Sequence, residues 1–143
     1  MNQADLQHLS DERILDAQAL LAGSRWGYAY YVAGYAIECA LKSCILARMI
    51  HTGAIFKDKK FSESCWTHDF SQLVKLAGLD GELNDALASD AALGGAFVKN
   101  WSTVRQWNEA SRYSTKSELE AKALVEAICQ NPGGVMQWIQ MYW

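Results

Sequence analysis

Only one proline, Pro132, stands in the 143 residues, and runs of β-branched residues are few. Proline interrupts helix interiors and β-branched runs favour strands, so their scarcity predicts a mainly helical chain. A strong charge of one sign is also missing. Thirteen Lys and Arg against sixteen Asp and Glu give a formal net charge of -3. That excludes a bulk electrostatic grip on nucleic acid and leaves room for a local basic patch. Cys39, Cys44, Cys65 and Cys129 form no metal-ligand spacing, so no metal or other cofactor is expected. Three of them fall in helical segments, which reads as buried reduced thiols and a cytoplasmic location. The polar start MNQADLQHLSDER lacks the apolar stretch of a signal peptide. The most apolar segment is uncharged only from Trp26 to Ile37. A bilayer span needs ~20 such residues, so no membrane association is expected. Internal repeats and low-complexity tracts are absent too.

What the chain does have is apolar content. Half of its residues are hydrophobic, enough for a packed core, and its length suits one domain over 1–143. Ser10 reads as a helix start, with Asp11 and Glu12 in the first turn where acids suit the dipole. Gly23 ends that helix, and Ser24 is placed to cap the next. The two should fold back as an antiparallel pair. The long segment from about 25 to 50 reads as one helix of roughly 40 Å at 1.5 Å per residue. Ala29, Val32, Ala33, Ala36, Ala40, Ser43 and Ala47 form a small-residue stripe that would admit a close neighbour. Tyr31, Gly34, Tyr35, Glu38, Leu41, Lys42, Ile45 and Met49 lie opposite. A helix apolar nearly all round is buried on both sides, so this one should be central.

Residues 51–67 show no helical period and carry Lys57, Lys59 and Lys60, which predicts a long loop. Asp69 with Gln72 is a capping-box pattern opening a short helix through Leu73, Leu76 and Leu79. A helical stretch over 81–89 follows. Another is expected over about 91–107, with Leu93, Phe97, Trp101 and Val104 inward. NEASRYS breaks it. Thr115 with Glu118 is a second capping-box candidate, followed by inward Leu119, Ala123, Leu124, Ala127 and Ile128. NPGG stops that helix, and VMQWIQMYW should dock as a short final one. The fold class is therefore all-α, a compact antiparallel helical bundle with a long central helix.

The residues able to carry chemistry are few. Glu38 and Lys42 sit one turn apart, an ion pair worth ~0.2–0.5 kcal/mol on an exposed helix. Buried, the pair needs further hydrogen-bond partners, and Arg112 is the obvious one for Glu38. Either the cluster ties helices together, or Glu38 orients Arg112 in an anion pocket that Lys42 faces. Asp69 is explained as an N-cap. His68 beside it is a candidate general base, although a His next to a cap is more often structural. Arg112 and Tyr113 occupy the polar break, where an Arg binds phosphate bidentately and a Tyr stacks on a base. Trp66, Trp101 and Trp107 could line a stacking site or fill the core. His8 and His51 have no patterned company.

YYVAGYAIECALKSCI, KDKKFSESCWTHDFSQLVKLAGL, NWSTVRQWNEASRY and GGVMQWIQMYW, in that order, resemble small stand-alone bacterial HEPN-domain proteins across nearly the whole chain. The resemblance implies a helical bundle, a homodimer, and a role in toxin–antitoxin or defence systems beside a nucleotidyltransferase-type partner. Ribonuclease members of that superfamily carry Arg, four to six residues, then His, paired across the dimer as a metal-independent site. Here the positions following Arg112 hold Ser117, Glu118 and Leu119, and those following Arg105 hold Ala110, Ser111 and Arg112. The motif His is missing. Three functions remain open. The first is a module binding RNA, a nucleotide or a protein partner through Arg112, Tyr113, Lys42 and the lysine loop. The second is a ribonuclease with a non-standard site of Arg112, His68, Asp69 and Glu38. The third is a structural homodimer whose charges only pin helices.

Overall fold

Asn2 and Asp5 open the first helix, each side chain accepting the other's backbone N–H at 2.9 Å. The structure, a computed structural model, describes residues 1–52, 59–92 and 95–143, and of Lys59 and Ala92 the backbone only. Lys57, Leu93 and the Lys59 side chain therefore lie outside the described residues. The helix α1 is Gln3–Ala22, so Ser10 does not start it. Ser10 is buried mid-helix, and its hydroxyl donates to the Ala36 carbonyl at 2.9 Å. A residue well suited to capping has been taken for a cross-helix bond instead.

Gly23 ends α1, and Ser24 follows in the left-handed region at φ 58°. Ser24 does not cap α2, Trp26–His51; Arg25 stands at that position without a side-chain cap. The three-residue turn folds α2 back along α1. Both faces of α2 are covered: it packs against α1, α7 (Glu118–Cys129), α8 (Val135–Gln140), α4 (Phe70–Leu76) and the 3-10 helix Glu109–Tyr113. Ala29, Ala33, Ala36 and Ala40 are fully buried in the small stripe. Ile37 and Leu41 are fully buried too, each worth ~2 kcal/mol relative to exposure. The chain is an all-α helical bundle around that long helix, and no strand occurs among the described residues.

Smaller departures have local causes. Part of the segment expected as loop is helix α3, Lys59–Ser64. The 81–89 stretch extends to α5, Asp80–Ala92, and the next helix, α6, covers only Ala96–Val104. The second capping box belongs to Ser117 and Glu120, two residues beyond Thr115 and Glu118. Ala121, Leu124, Val125 and Ile128 then point inward at i, i+3, i+4 and i+7, while Leu119, about 200° round from Ala121, is exposed. The tail forms α8 with Val135, Met136, Trp138 and Ile139 buried.

One close approach holds the 3-10 segment on the bundle. Trp107 stacks on Phe70, with ring centroids 5.1 Å apart and planes 2° from parallel. Its edge meets Tyr35 at 6.0 Å. Its ring lies on the backbone of α2 at Gly34, where an added Cβ would fall 2.1 Å from ring atoms. Gly34 is glycine because the indole occupies that volume. Gly34→Ala is expected to cost ~1–3 kcal/mol as an overpacking change, and Trp107→Ala ~3–5 kcal/mol as a cavity. In urea unfolding the alanine at 34 should cost much less once Trp107 is also alanine. Simple additivity of the two changes would refute the contact.

Candidate functional site

Glu38 lies on α2 with only 4 % of its surface exposed. An ionised carboxylate there needs charged hydrogen-bonding partners. Two supply them. Lys42, one turn on, donates from Nζ to Oε1 at 2.7 Å. His68, from the link before α4, puts Nδ1 2.8 Å from Oε2. The far nitrogen of the same ring, Nε2, stands 2.9 Å from Oε2 of Glu109, the first residue of the 3-10 helix. The result is a line of ionisable groups, Lys42, Glu38, His68, Glu109, joining α2, the α4 link and the 3-10 helix.

This arrangement corrects the sequence expectation that Arg112 partners Glu38. Both side chains are described, and no ion pair joins them. The nearer partner won because the helical N-cap at Asp69 places His68 directly against α2. Asp69 itself accepts the Gln72 N–H at 3.0 Å, and its own N–H donates to Thr67 Oγ1 at 3.1 Å. Its carboxylate is thereby committed to the cap. His68, 32 % exposed, has an acid at each nitrogen. The two carboxylates lie on opposite sides of the ring and do not converge, and no group of three metal-ligating side chains occurs among the described residues.

Arg112 sits instead on an exposed ridge beside the line. Its guanidinium lies 4.8 Å from the Tyr113 ring centroid. Its ordinary value is pushed up by Tyr113 first, with desolvation opposing and Tyr31 adding to the rise. No carboxylate is within ion-pair distance of Arg112 among the described residues. Tyr113 is 80 % exposed. Tyr31 and Tyr35 pack edge to face, their ring centroids 5.1 Å apart. The Tyr35 hydroxyl is pushed up to about 12, by its hydrogen bond with Tyr31 first and by burial next, with Glu38 adding to the effect and Arg112 opposing it. Tyr35 therefore feels both the buried acid and the exposed guanidinium. An open cleft of about 430 Å³ adjoins, lined by His68, Asp69, Arg105 and Glu109 with Trp107 among its walls. Arg112 is outside that lining.

Of the residues picked from the sequence, the structure joins Glu38, Lys42 and His68 directly, puts Asp69 in a cap at the cleft, and sets Arg112 with Tyr113 apart on the ridge. Lys60 is exposed in α3, Trp66 is exposed, and Trp101 and Trp107 are core. Glu109, Tyr31 and Tyr35 were not picked as site residues. A signal existed for the tyrosines: Tyr31, Tyr35, Glu38 and Lys42 recur at helical spacing on one face. Nothing local marks Glu109, whose partner is forty-one positions away in the chain. The four thiols are free, and burial raises each of them.

Because Glu38 is buried and Glu109 is 55 % exposed, the two ends of the ion line should differ in stability. Glu38→Ala is expected to cost on the order of 3 kcal/mol by leaving Lys42 and the His68 ring without their buried partner, and Glu109→Ala under ~1 kcal/mol. Equal costs in denaturant titrations would sink that reading. Burial pushes the Cys44 thiol from 9.0 up to about 12, against a weaker lowering by a backbone hydrogen bond. A raised value in the folded state gives stability that is fully present below the unfolded value and fades as pH rises toward the folded one. Melting temperature should therefore fall above pH 9, and fall less in Cys44→Ala; an equally steep decline in that variant would count against it.

Comparison of the chain with family models, with curated proteins and with solved structures finds no match, so the reading of this site rests on its residues and their geometry.

Proposed function

We propose that the chain is a HEPN-type module that binds RNA or a nucleotide without cleaving it, in a toxin–antitoxin or defence-type setting. The observation that supports this is Arg112: an exposed guanidinium with no acid partner among the described residues, laid against the exposed ring of Tyr113. A guanidinium whose fork is not spent on a carboxylate is free to take a phosphate. A neighbouring exposed tyrosine offers a base a stacking face. The net charge of -3 requires such a grip to be local. Lys42 is spent on Glu38 and Asp69 on its cap, so both drop out of direct ligand contact in this reading.

Binding is favoured over cleavage by the state of His68. A general base needs a nitrogen open to the proton it takes. Both nitrogens of His68 face carboxylates, and Arg112 does not share its cleft lining. The motif His is missing as well, which adds to the weight on the side of binding.

Fluorescence anisotropy with a labelled single-stranded poly-uridine RNA, repeated across salt concentrations, tests the proposal, with free nucleotide as competitor. Wild type should bind with an affinity that falls as salt rises. Arg112→Ala and Tyr113→Ala should each weaken binding roughly tenfold or more, and Arg112→Lys should not restore it fully because an ammonium lacks the fork. RNA chain cleavage lost on His68→Ala would favour the ribonuclease reading instead. Binding of neither RNA nor nucleotide would refute the proposal.

A further inference from the structure

We infer that His68 and Glu109 are positioning residues: their ionic contact fixes the 3-10 helix so that Arg112 and Tyr113 are presented to the ligand. The inference rests on the RNA- or nucleotide-binding reading of the ridge. It extends that reading to two residues that do not touch the ligand.

The 3-10 helix Glu109–Tyr113 is five residues long. Such helices have poorer hydrogen-bond geometry than α-helices and are weak on their own. At its two ends, Ser111 N–H donates to the Asn108 carbonyl and Ser114 N–H to the Ser111 carbonyl, both at 3.1 Å, and neither bond reaches another helix. Its fixed position on the bundle must come from side chains. In the middle, Ser111 is buried. At the end, the Arg112 guanidinium lies 4.8 Å from the Tyr113 ring centroid. At the start, Glu109 meets His68, and His68 is itself locked to the buried Glu38. Glu38 cannot turn to water, so His68 is fixed, and the fixed ring gives Glu109 a stationary partner. The charged and titratable groups around this contact are Glu38, Lys42 and Tyr35 on α2, Asp69 at the start of α4, and Arg105 across the cleft.

A second consequence separates positioning from plain electrostatics. Glu109 is an acid three residues before Arg112. If it acted only through its charge, it would repel an anionic ligand, and removing it would tighten binding. If it holds the helix, removing it loosens binding. The two accounts predict opposite signs.

The experiment combines RNA binding with amide hydrogen exchange on the full chain. Glu109→Ala should weaken binding of the poly-uridine RNA roughly threefold to fivefold, the share a half-exposed ion-pair contact carries. Glu109→Gln keeps an acceptor for the ring and should fall between alanine and wild type. Without RNA, the Ser111 and Ser114 amides should exchange faster in Glu109→Ala, while amides within α2 stay unchanged. Tighter or unchanged RNA binding in Glu109→Ala overturns the inference, and so does unchanged exchange at Ser111 and Ser114. If wild type binds no RNA or nucleotide, the binding reading fails and takes presentation to a ligand with it. The exchange result then still decides whether Glu109 holds the helix.

Discussion

A carboxylate buried inside an apolar helix is the constraint on which the rest of the site depends. Glu38 is nearly sealed from water on the face of α2 opposite the small-residue stripe. Moving a charge there costs several kcal/mol unless partners close around it. Lys42 takes one oxygen from within the same helix. The other oxygen can be satisfied only from another element, and His68 supplies that partner. The acid therefore decides where the start of α4 meets α2, and through the second nitrogen of the ring it decides where the 3-10 helix begins.

The aromatic side chains complete that placement without charge. Trp107 lies flat on Phe70 and presses on α2 where Gly34 leaves room, so the residues just before the 3-10 helix are held by packing while Glu109 is held by an ionic contact. Tyr31 and Tyr35 pack edge to face on the same side of α2 as the sealed acid, and the Tyr35 hydroxyl feels both Glu38 and Arg112. Two neighbouring regions with different tasks result. In the inner one Lys42, Glu38, His68 and Glu109 each have a partner. The outer one keeps an Arg and a Tyr open to solvent. The proposed binding role rests on the second region, and the first, with both nitrogens of its histidine facing carboxylates, is the frame beside it.

Much of the fold was legible in the residues themselves. The long helix is marked by an apolar surface interrupted only at Glu38 and Lys42, and its ends at Trp26 and His51 lie within a residue of the sequence reading. Asp69 announced its cap. Where the reading slipped, two local signals competed. Ser10 and Ser24 both have capping chemistry, yet Ser10 is bonded to Ala36 and Ser24 occupies a left-handed turn. The box at Ser117 and Glu120 overlaps in pattern with that at Thr115 and Glu118, and only the backbone shows which pair closes.

By itself the sequence determined the class of fold, the central helix and the fact that Glu38 would need partners, because periodicity and desolvation act on near neighbours in the chain. It also placed Lys42 correctly, since one helical turn fixes that distance. Tertiary structure alone decided that His68, not Arg112, completes the acid, that Glu109 joins the line, and that Arg112 is left exposed beside Tyr113. The reason is physical: which distant cation reaches a buried charge depends on how helices cross, and several candidates of the right chemistry were available along the chain.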